Sequence, residues 1–421
     1  MKIMVVGGGG REHAIIKKLK ENKNITEIFA LPGNGGMHAD ATLVDIGAKE
    51  IEKQVEFAKA NGIDYAVVAP DDPLVLGAVD ALTEAGIPCF GPNKAAAIIE
   101  GSKVFSKNLM KKYNIPTAQY EVFNDLEAAL KYLDTAPIPT VIKADGLALG
   151  KGVIIAETRE DAKEAVRSMM EDKIFGDSGN NVVIEEFLTG PEVSVLSFTD
   201  GKTVVPMVSS MDHKRALDGD KGLNTGGMGT VAPNPYYTDD IAKECMEKIF
   251  IPTINAMNSE NRTFKGCLYF GLMLTPNGPK VIEYNCRFGD PETQVVLPLL
   301  ESDLLTIMKA TTNGTLSDTE VKFSNGAAAC VVMASLGYPQ KYESGFELKI
   351  EDSVADKVYV AGAKLDNGVL KTAGGRVLGV TDTADNLKDA LEKAYKNVNS
   401  VHFDNAFYRK DIGAKAMEVL K

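Results

Sequence analysis

Between residues 280 and 294 the chain reads Lys-Val-Ile-Glu283-Tyr-Asn285-Cys-Arg287-Phe-Gly-Asp290-Pro-Glu292-Thr-Gln294, crowding ionic groups, amides and a hydroxyl behind a short apolar strand. Strand alternation puts Glu283 and Asn285 on one face, two hard oxygen donors about 7 Å apart along the chain. Such a pair suits Mg²⁺ (or Mn²⁺, which the sequence does not distinguish), because a small hard cation takes one or two protein oxygens and completes its shell with water and nucleotide phosphate. The alternative is a solvated strand end carrying an Arg287/Asp290 ion pair.

Other segments carry groups suited to anions. Gly7-Gly8-Gly9-Gly10-Arg11-Glu12-His13 follows a strand and opens a helix, so its backbone N–H groups and the helix dipole are expected to cradle an anion. It fails as a dinucleotide fingerprint, since Glu12 stands where the last glycine belongs and no acidic residue closes the next strand. The stretch Lys143-Ala-Asp-Gly-Leu-Ala-Leu-Gly150-Lys151-Gly152 reads either as a hairpin folding over phosphates beside a strand lysine or as a mobile surface hairpin. Val182 to Leu188, through Glu185 and Glu186, forms a strand whose backbone is able to pair with a purine edge. Asp212-His213-Lys214-Arg215 and Asn224-Thr225-Gly226-Gly227-Met228-Gly229 share one polar loop, where the glycines point to close backbone approach by a ligand. Gly374-Gly375-Arg376 offers a further anion contact, or a plain turn.

The elements that must position these groups begin with a βαβα pattern over residues 1 to 100. Strands Ile3 to Val6, Ile25 to Leu31, Tyr65 to Ala69 and Pro88 to Phe90 alternate with helices Arg11 to Lys20, Ile51 to Ala60 and Pro73 to Ala85. A small unit over 101–190 follows, with helices Ser102 to Tyr113 and Arg159 to Met170. A larger one spans 191–325 and includes a polar loop from Ser209 to Thr230. The tail over 326–421 carries strands Ala327 to Ala334 and Val377 to Val380 and helices Ala384 to Val398 and Ile412 to Leu420. The fold class expected is α/β and α+β multidomain.

At 421 residues with 44% hydrophobic content, the chain is large enough for several cores. A net charge of −12 argues against nucleic acid or an anionic membrane as the main partner. The five cysteines form no CxxC pair, so neither a disulfide framework nor a zinc site is expected. The first residues enter a strand without a cleavage pattern, which predicts a soluble, cytoplasmic protein.

Taken in order, GGGGREHA, Pro32-Gly33-Asn34, FGP at 90–92, GSKVFSK at 101–107, IKADGLALGKGV at 142–153, VIEEFLTGPE at 183–192, MDHKR at 211–215, NTGGMG at 224–229, VIEYNCRFGDPETQ at 281–294, GGRV at 374–377 and RKDIG at 409–413 resemble the phosphoribosylamine–glycine ligase family of ATP-grasp enzymes. The end near residue 421 resembles the monofunctional form. The resemblance implies an N-terminal βαβ domain, an ATP-grasp fold and a small C-terminal α+β domain. It also implies that Lys103, Lys143, Gly150, Lys151 and Gly152 hold ATP phosphates, that Glu185, Glu186 and Leu188 line adenine with Glu192 at the ribose, and that Glu283 and Asn285 hold Mg²⁺. Gly9, Arg11, Glu12, Asp71, Asp212, Lys214, Asn224, Thr225, Gly226, Gly227, Arg287 and Arg376 would form the sites for glycine and 5-phosphoribosylamine. Leu223, Ala363 and Asp71 depart from the family's expected Pro, Thr and Glu. The strand Leu268 to Leu274 offers no second metal carboxylate.

The expected reaction is ATP-dependent C–N ligation through glycyl phosphate, with Arg287 and Lys143 as the groups stabilising developing negative charge. Two other readings stand at this point: an NAD(P)-dependent dehydrogenase and a nucleotide-binding regulator without turnover. Monomer and homodimer are both compatible with the sequence.

Overall fold

In the computed structural model, which describes residues 1–147 and 152–421, the apolar runs of the first ninety residues form a five-stranded parallel sheet. Its order is Thr42–Leu43, Glu27–Pro32, Lys2–Gly7, Tyr65–Val68, Cys89–Phe90. Both faces are covered, which is why Ile3, Met4, Val5 and Val6 run on without a polar break and are all fully buried. Strand order reverses at Lys2–Gly7, so the glycine loop behind it opens at the switch point where such sheets bind ligands.

The expected helix over 73–85 is two helices, Asp71–Leu76 and Ala78–Glu84, broken at Gly77. Gly77 has φ +98°, a left-handed conformation that interrupts the helix although the apolar periodicity continues through it.

The next sheet is antiparallel, in the order Tyr120–Phe123, Val182–Glu186, Thr140–Ala144, Val153–Ala156. Helices Leu126–Leu133 and Arg159–Met170 cover it with a core of their own, including Leu133, Ile142, Val166 and Met169. Of the glycine-rich stretch, Gly150 and Lys151 lie outside the described residues. Gly152 accepts a backbone hydrogen bond from Ala144 (2.8 Å) and leads into Val153–Ala156.

A third sheet, Val204–Pro206, Glu192–Thr199, Gly266–Thr275, Gly278–Asn285, carries the acidic motif at its edge. One face of it shares a core with the N-terminal unit: Val195, Phe270 and Tyr284 cluster with Met4, Val6 and Ile99. The fourth sheet runs Met211–Asp212, Gly229–Ala232, Ala327–Ser335, Arg376–Ala384, Val358–Val360, with Ala406–Phe407 also paired to Ala327–Ser335. Two strands from the 191–325 segment therefore belong to the sheet of the tail. The polar segment 209–230, expected as a loop, also holds a hairpin, Arg215–Leu217 with Lys221–Asn224. Its turn has positive φ at Gly219 (+68°) and Asp220 (+53°), as a tight hairpin requires. No apolar alternation announces these strands, because the hairpin is mostly exposed.

Candidate active site

Two lysines of the site stand on helix Lys103–Lys112. Ser102 caps it, its Oγ accepting from Phe105 N–H (3.0 Å) and donating to Asp145 (3.0 Å), which also receives Val104 N–H (3.2 Å). The cap ties the helix start to the strand bearing Lys143. Lys103 and Lys107, four residues apart, share one helix face. Antiparallel pairing sets Val141 opposite Glu185, so Lys143 lies diagonal to Glu185 on the same face. Glu185 is buried between Lys107 and Lys143 and ion-paired to both. Burial opposes its ionisation, but the two lysines prevail and hold its carboxyl below the usual range. Burial pushes Lys107 down to about 8 against the pull of Glu185. Burial also lowers Lys103, against the attraction of Glu283.

Lys143 Nζ donates to the Ile282 carbonyl (3.1 Å), one residue before Glu283, so the phosphate side and the metal side are in contact. Glu283 pairs with Gly271 and Asn285 with Tyr269, while Tyr284 between them turns into the core. Both polar side chains therefore face one way, as alternation predicts. Glu283 makes no hydrogen bond or ion pair among the described residues. Asn285 Nδ2 donates to the Tyr284 carbonyl (2.7 Å), which leaves Oδ1 open. No group of three or more His, Cys, Asp or Glu capable of holding a metal occurs among the described residues. Two open oxygens without a closed cage fit Mg²⁺ completed by phosphate and water.

The Arg287/Asp290 ion pair weighed above does not form. Arg287 pairs with Glu100 (3.1 Å) and Asp290 with Arg376 (3.3 Å). Arg287 Nε is buried without a hydrogen-bond partner. Burial works against the carboxylate of Asp71, but Arg287 and Arg11 hold its carboxyl below the usual range. Burial of Glu100 outweighs Arg287 and raises its carboxyl.

Side chains of the protein itself take two donors of the glycine loop. Glu12, buried, accepts from Gly9 N–H (2.6 Å) and pairs with Arg11 (2.6 Å), whose own N–H donates to Asp290 (3.3 Å). Two of the loop's backbone donors, those of Gly9 and Arg11, thus have partners within the chain. The residue that spoiled the fingerprint takes one donor of the loop, Gly9 N–H.

Across the cleft, buried Asp212 pairs with half-exposed Lys214 (3.0 Å), and Glu292 contacts Ser194 Oγ (3.3 Å) and Tyr269 Oη (3.2 Å). Lys214 lies in the field of Asp212, Tyr269, Glu292 and Glu283. Burial raises the carboxyls of both Asp212 and Glu292, and the charge of Asp212 adds to the rise at Glu292. Besides its pair with the Asp290 carboxylate, Arg376 Nη1 donates to the carbonyls of Gly226 (2.9 Å) and Asp290 (3.1 Å). Thr225 Oγ1 donates to Lys214 O (2.8 Å) and accepts from Gly227 N–H (3.0 Å), fixing the loop, while Asn224 ends the exposed hairpin. Glu186 pairs with Lys280 (2.9 Å), Leu188 is half-buried and Glu192 is exposed.

Three consecutive family models match the chain: the phosphoribosylglycinamide synthetase N domain over 1–100, its ATP-grasp (A) domain over 101–293 and its C domain over 328–415. The chain belongs to the phosphoribosylglycinamide synthetase family. Its relatives include the phosphoribosylamine–glycine ligases of Clostridium acetobutylicum, 48% identical over 98% of this chain and 99% of that one, and of Caldanaerobacter subterraneus, 47% identical over 98% and 100%. The crystal structure of the Thermotoga maritima phosphoribosylamine–glycine ligase superposes with a TM-score of 0.87 at 34% identity, covering 98% of this chain and 100% of that one. A Campylobacter jejuni biotin carboxylase, 14% identical with a TM-score of 0.75 over 99% and 95%, shares the fold. The expected architecture of parallel N-terminal sheet, ATP-grasp fold and C-terminal domain is thus the family's.

Lys107, Glu100, Ser194, Tyr269, Asp290 and Glu292 escaped the sequence-based choice of site residues. For Lys107 the i,i+4 spacing from Lys103 was a usable signal. For Ser194 and Tyr269 there was none, because strand pairing alone brings them to Glu292.

Proposed function

We propose that the chain joins glycine to 5-phosphoribosylamine at the expense of ATP, giving glycinamide ribonucleotide, ADP and phosphate, as a cytoplasmic carbon–nitrogen ligase of purine biosynthesis. One observation supports this reading best: Lys143 donates to the Ile282 carbonyl (3.1 Å), and Lys103 lies in the field of Glu283 and Lys143, so two lysines from separate elements stand beside the strand that carries Glu283 and Asn285. Cationic and hard-oxygen groups gathered this way suit phosphoryl transfer, which needs positioning and charge neutralisation more than a protein nucleophile.

On this reading Lys103 and Lys143 hold the ATP phosphates, together with Gly150, Lys151 and Gly152. The strand end at Glu185, Glu186 and Leu188 faces adenine, with Glu192 at the ribose. Glu283 and Asn285 would hold Mg²⁺ or Mn²⁺, which when bound neutralises phosphate charge. Glycine sits with its carboxylate toward Arg287 and its ammonium toward the carboxylates of Asp212 and Glu292. A glycine oxygen attacks the γ-phosphorus and the bond to ADP breaks. The amine then attacks the carbonyl carbon of glycyl phosphate, and phosphate leaves. The buried, unpaired Nε of Arg287 is a preorganised donor for the oxyanion of that second step. Gly9, Arg11, Glu12, Asp71, Lys214, Asn224, Thr225, Gly226, Gly227 and Arg376 shape the pockets of the two smaller substrates. Within this group Glu12 and Arg376 act by holding backbone.

ADP release tests the reading. Full turnover is expected only with glycine and the amino sugar together, and not with either alone. Turnover independent of both would overturn the ligase reading, and ATP binding without any turnover would favour the regulator.

A further inference from the structure

Away from the phosphate cleft, a cavity of about 430 Å³ opens between the N-terminal sheet and the C-terminal unit. Gly8, Asn34 and Gly35 line one side, and Gly362, Ala363 and Lys364 the other. The spacing of the two walls is set at Val360, the residue before the second wall begins. Its N–H donates to His13 Nδ1 (2.8 Å), and its carbonyl accepts from Asn34 Nδ2 (2.8 Å). Asn34 Nδ2 donates to the Gly8 carbonyl as well (2.9 Å), and Asn34 Oδ1 accepts from Gly36 N–H (2.8 Å). A Cβ on Gly36 would lie 2.3 Å from Val360 Cβ, so the close approach depends on glycine there.

His13 is buried and fixed in one tautomer. Because Nδ1 accepts from Val360, Nε2 carries the hydrogen, and it lies 3.0 Å from Asp40 Oδ2. The other oxygen of Asp40 takes Lys20 Nζ (2.7 Å). One helical turn beyond His13, Lys17 donates to the carbonyls of Ala355 (2.6 Å) and Val358 (2.8 Å) and stands over the Tyr359 ring. The helix that begins at the glycine loop thus spends its i,i+4 face on holding the strand Val358–Val360.

We propose that His13 and Asn34 are positioning residues for the amino-sugar phosphate: binding the N–H and the carbonyl of Val360, they hold the 361–365 backbone in register with Gly8 and Asn34 across the cavity. The inference rests on the ligase reading and on binding of that substrate at the carboxyl ends of the N-terminal strands. Neither residue reaches the groups assigned to ATP, so their effect separates by substrate.

Parent ligation with all three substrates is measured first, followed by His13→Leu, His13→Asn and Asn34→Ala, each checked for folding by circular dichroism. His13→Leu leaves the buried Val360 N–H unpaired and is expected to raise the KM for 5-phosphoribosylamine about tenfold. The KM for ATP and kcat stay within about twofold of the parent. His13→Asn, whose amide oxygen stands where Nδ1 does, stays near the parent, and Asn34→Ala repeats the sugar-selective rise. If His13→Leu does not fold, Asn34→Ala and His13→Asn decide alone. Equal rises for ATP and sugar, unchanged constants in folded Asn34→Ala, or His13→Asn as impaired as His13→Leu would overturn the clamp while leaving the ligase reading intact. A parent that does not ligate overturns both.

Discussion

Glu283 and Arg287 occupy the same strand end yet have opposite surroundings. Glu283 has no partner among the described residues, whereas Arg287 is held by Glu100 and the Phe288 carbonyl, with Nε buried and unpaired. Glu283→Ala should therefore abolish ADP formation and leave the thermal midpoint of the nucleotide-free protein nearly unchanged, which differential scanning fluorimetry checks. Retained turnover at limiting Mg²⁺ would rule out the metal role. Arg287→Ala should lower kcat by roughly 10²–10³ while ATP still binds, as measured by calorimetry. It also strands buried Glu100, so a fall in stability is expected with it. Arg376 donates to the carbonyls of Gly226 and Asp290. Arg376→Ala should raise the KM for 5-phosphoribosylamine and spare that for ATP, through loss of loop position.

At the scale of elements, two short pieces owe their shape to single residues. The hairpin Arg215–Leu217/Lys221–Asn224 buries little, and Arg409 holds it from the tail. Its guanidinium donates to the Arg215 carbonyl (3.0 Å) and to Asp220 (3.0 Å) and forks onto Asp411 (2.8 and 2.8 Å). Lysine cannot reproduce that fork. Arg409→Lys should cost roughly 1–3 kcal/mol in urea unfolding and expose residues 215–224 to limited proteolysis. The break at Gly77 is conformational, since a Cβ there would meet the Lys94 and Asp80 side chains at no less than ordinary distance. Gly77→Ala should cost about 1–2 kcal/mol through the left-handed backbone alone.

At the scale of the whole molecule, the four units are joined by polar pins as well as by shared core, and one pin titrates. His213 is buried beside the active-site loop; its Nδ1 lies 3.0 Å from the Gly229 carbonyl, and its Nε2 accepts from Gly413 N–H (3.0 Å). Burial pushes its pKa down to about 4 from 6.5. The unfolded imidazole binds a proton below pH 6.5 and the folded one does not until about pH 4, so acid favours the unfolded chain and stability falls as pH drops through that window. The loss attributable to this residue is on the order of 3 kcal/mol. Urea midpoints of the parent and of His213→Asn at pH 7.5 and 4.5 test it, the variant showing the smaller drop. Function at this scale is the coupling of ATP cleavage to amide formation. Glycine labelled with ¹⁸O in its carboxylate should yield phosphate carrying one labelled oxygen per turnover, and unlabelled phosphate would exclude glycyl phosphate.

Much was legible in the sequence because it rests on local rules. The parallel sheet follows from unbroken apolar runs between amphipathic helices, and Glu283 and Asn285 share a face because strand alternation fixes it. The ordered motifs carried the family. What stayed hidden depends on groups far apart in sequence. Arg287 takes Glu100 in place of Asp290, Glu185 is shared by two lysines, and Glu12 turns back into its own glycine loop. Each outcome follows from which carboxylate lies nearest once strands pair and helices pack, and burial makes that pairing compulsory by penalising any charge left alone. Strands Met211–Asp212 and Gly229–Ala232 were equally invisible, since the second forms by pairing with distant Ala327–Ser335 and the first by pairing with the second. Residue types and local periodicity are written in the chain, whereas the choice among competing partners is made by tertiary packing, where a few ångströms decide which charges are neutralised.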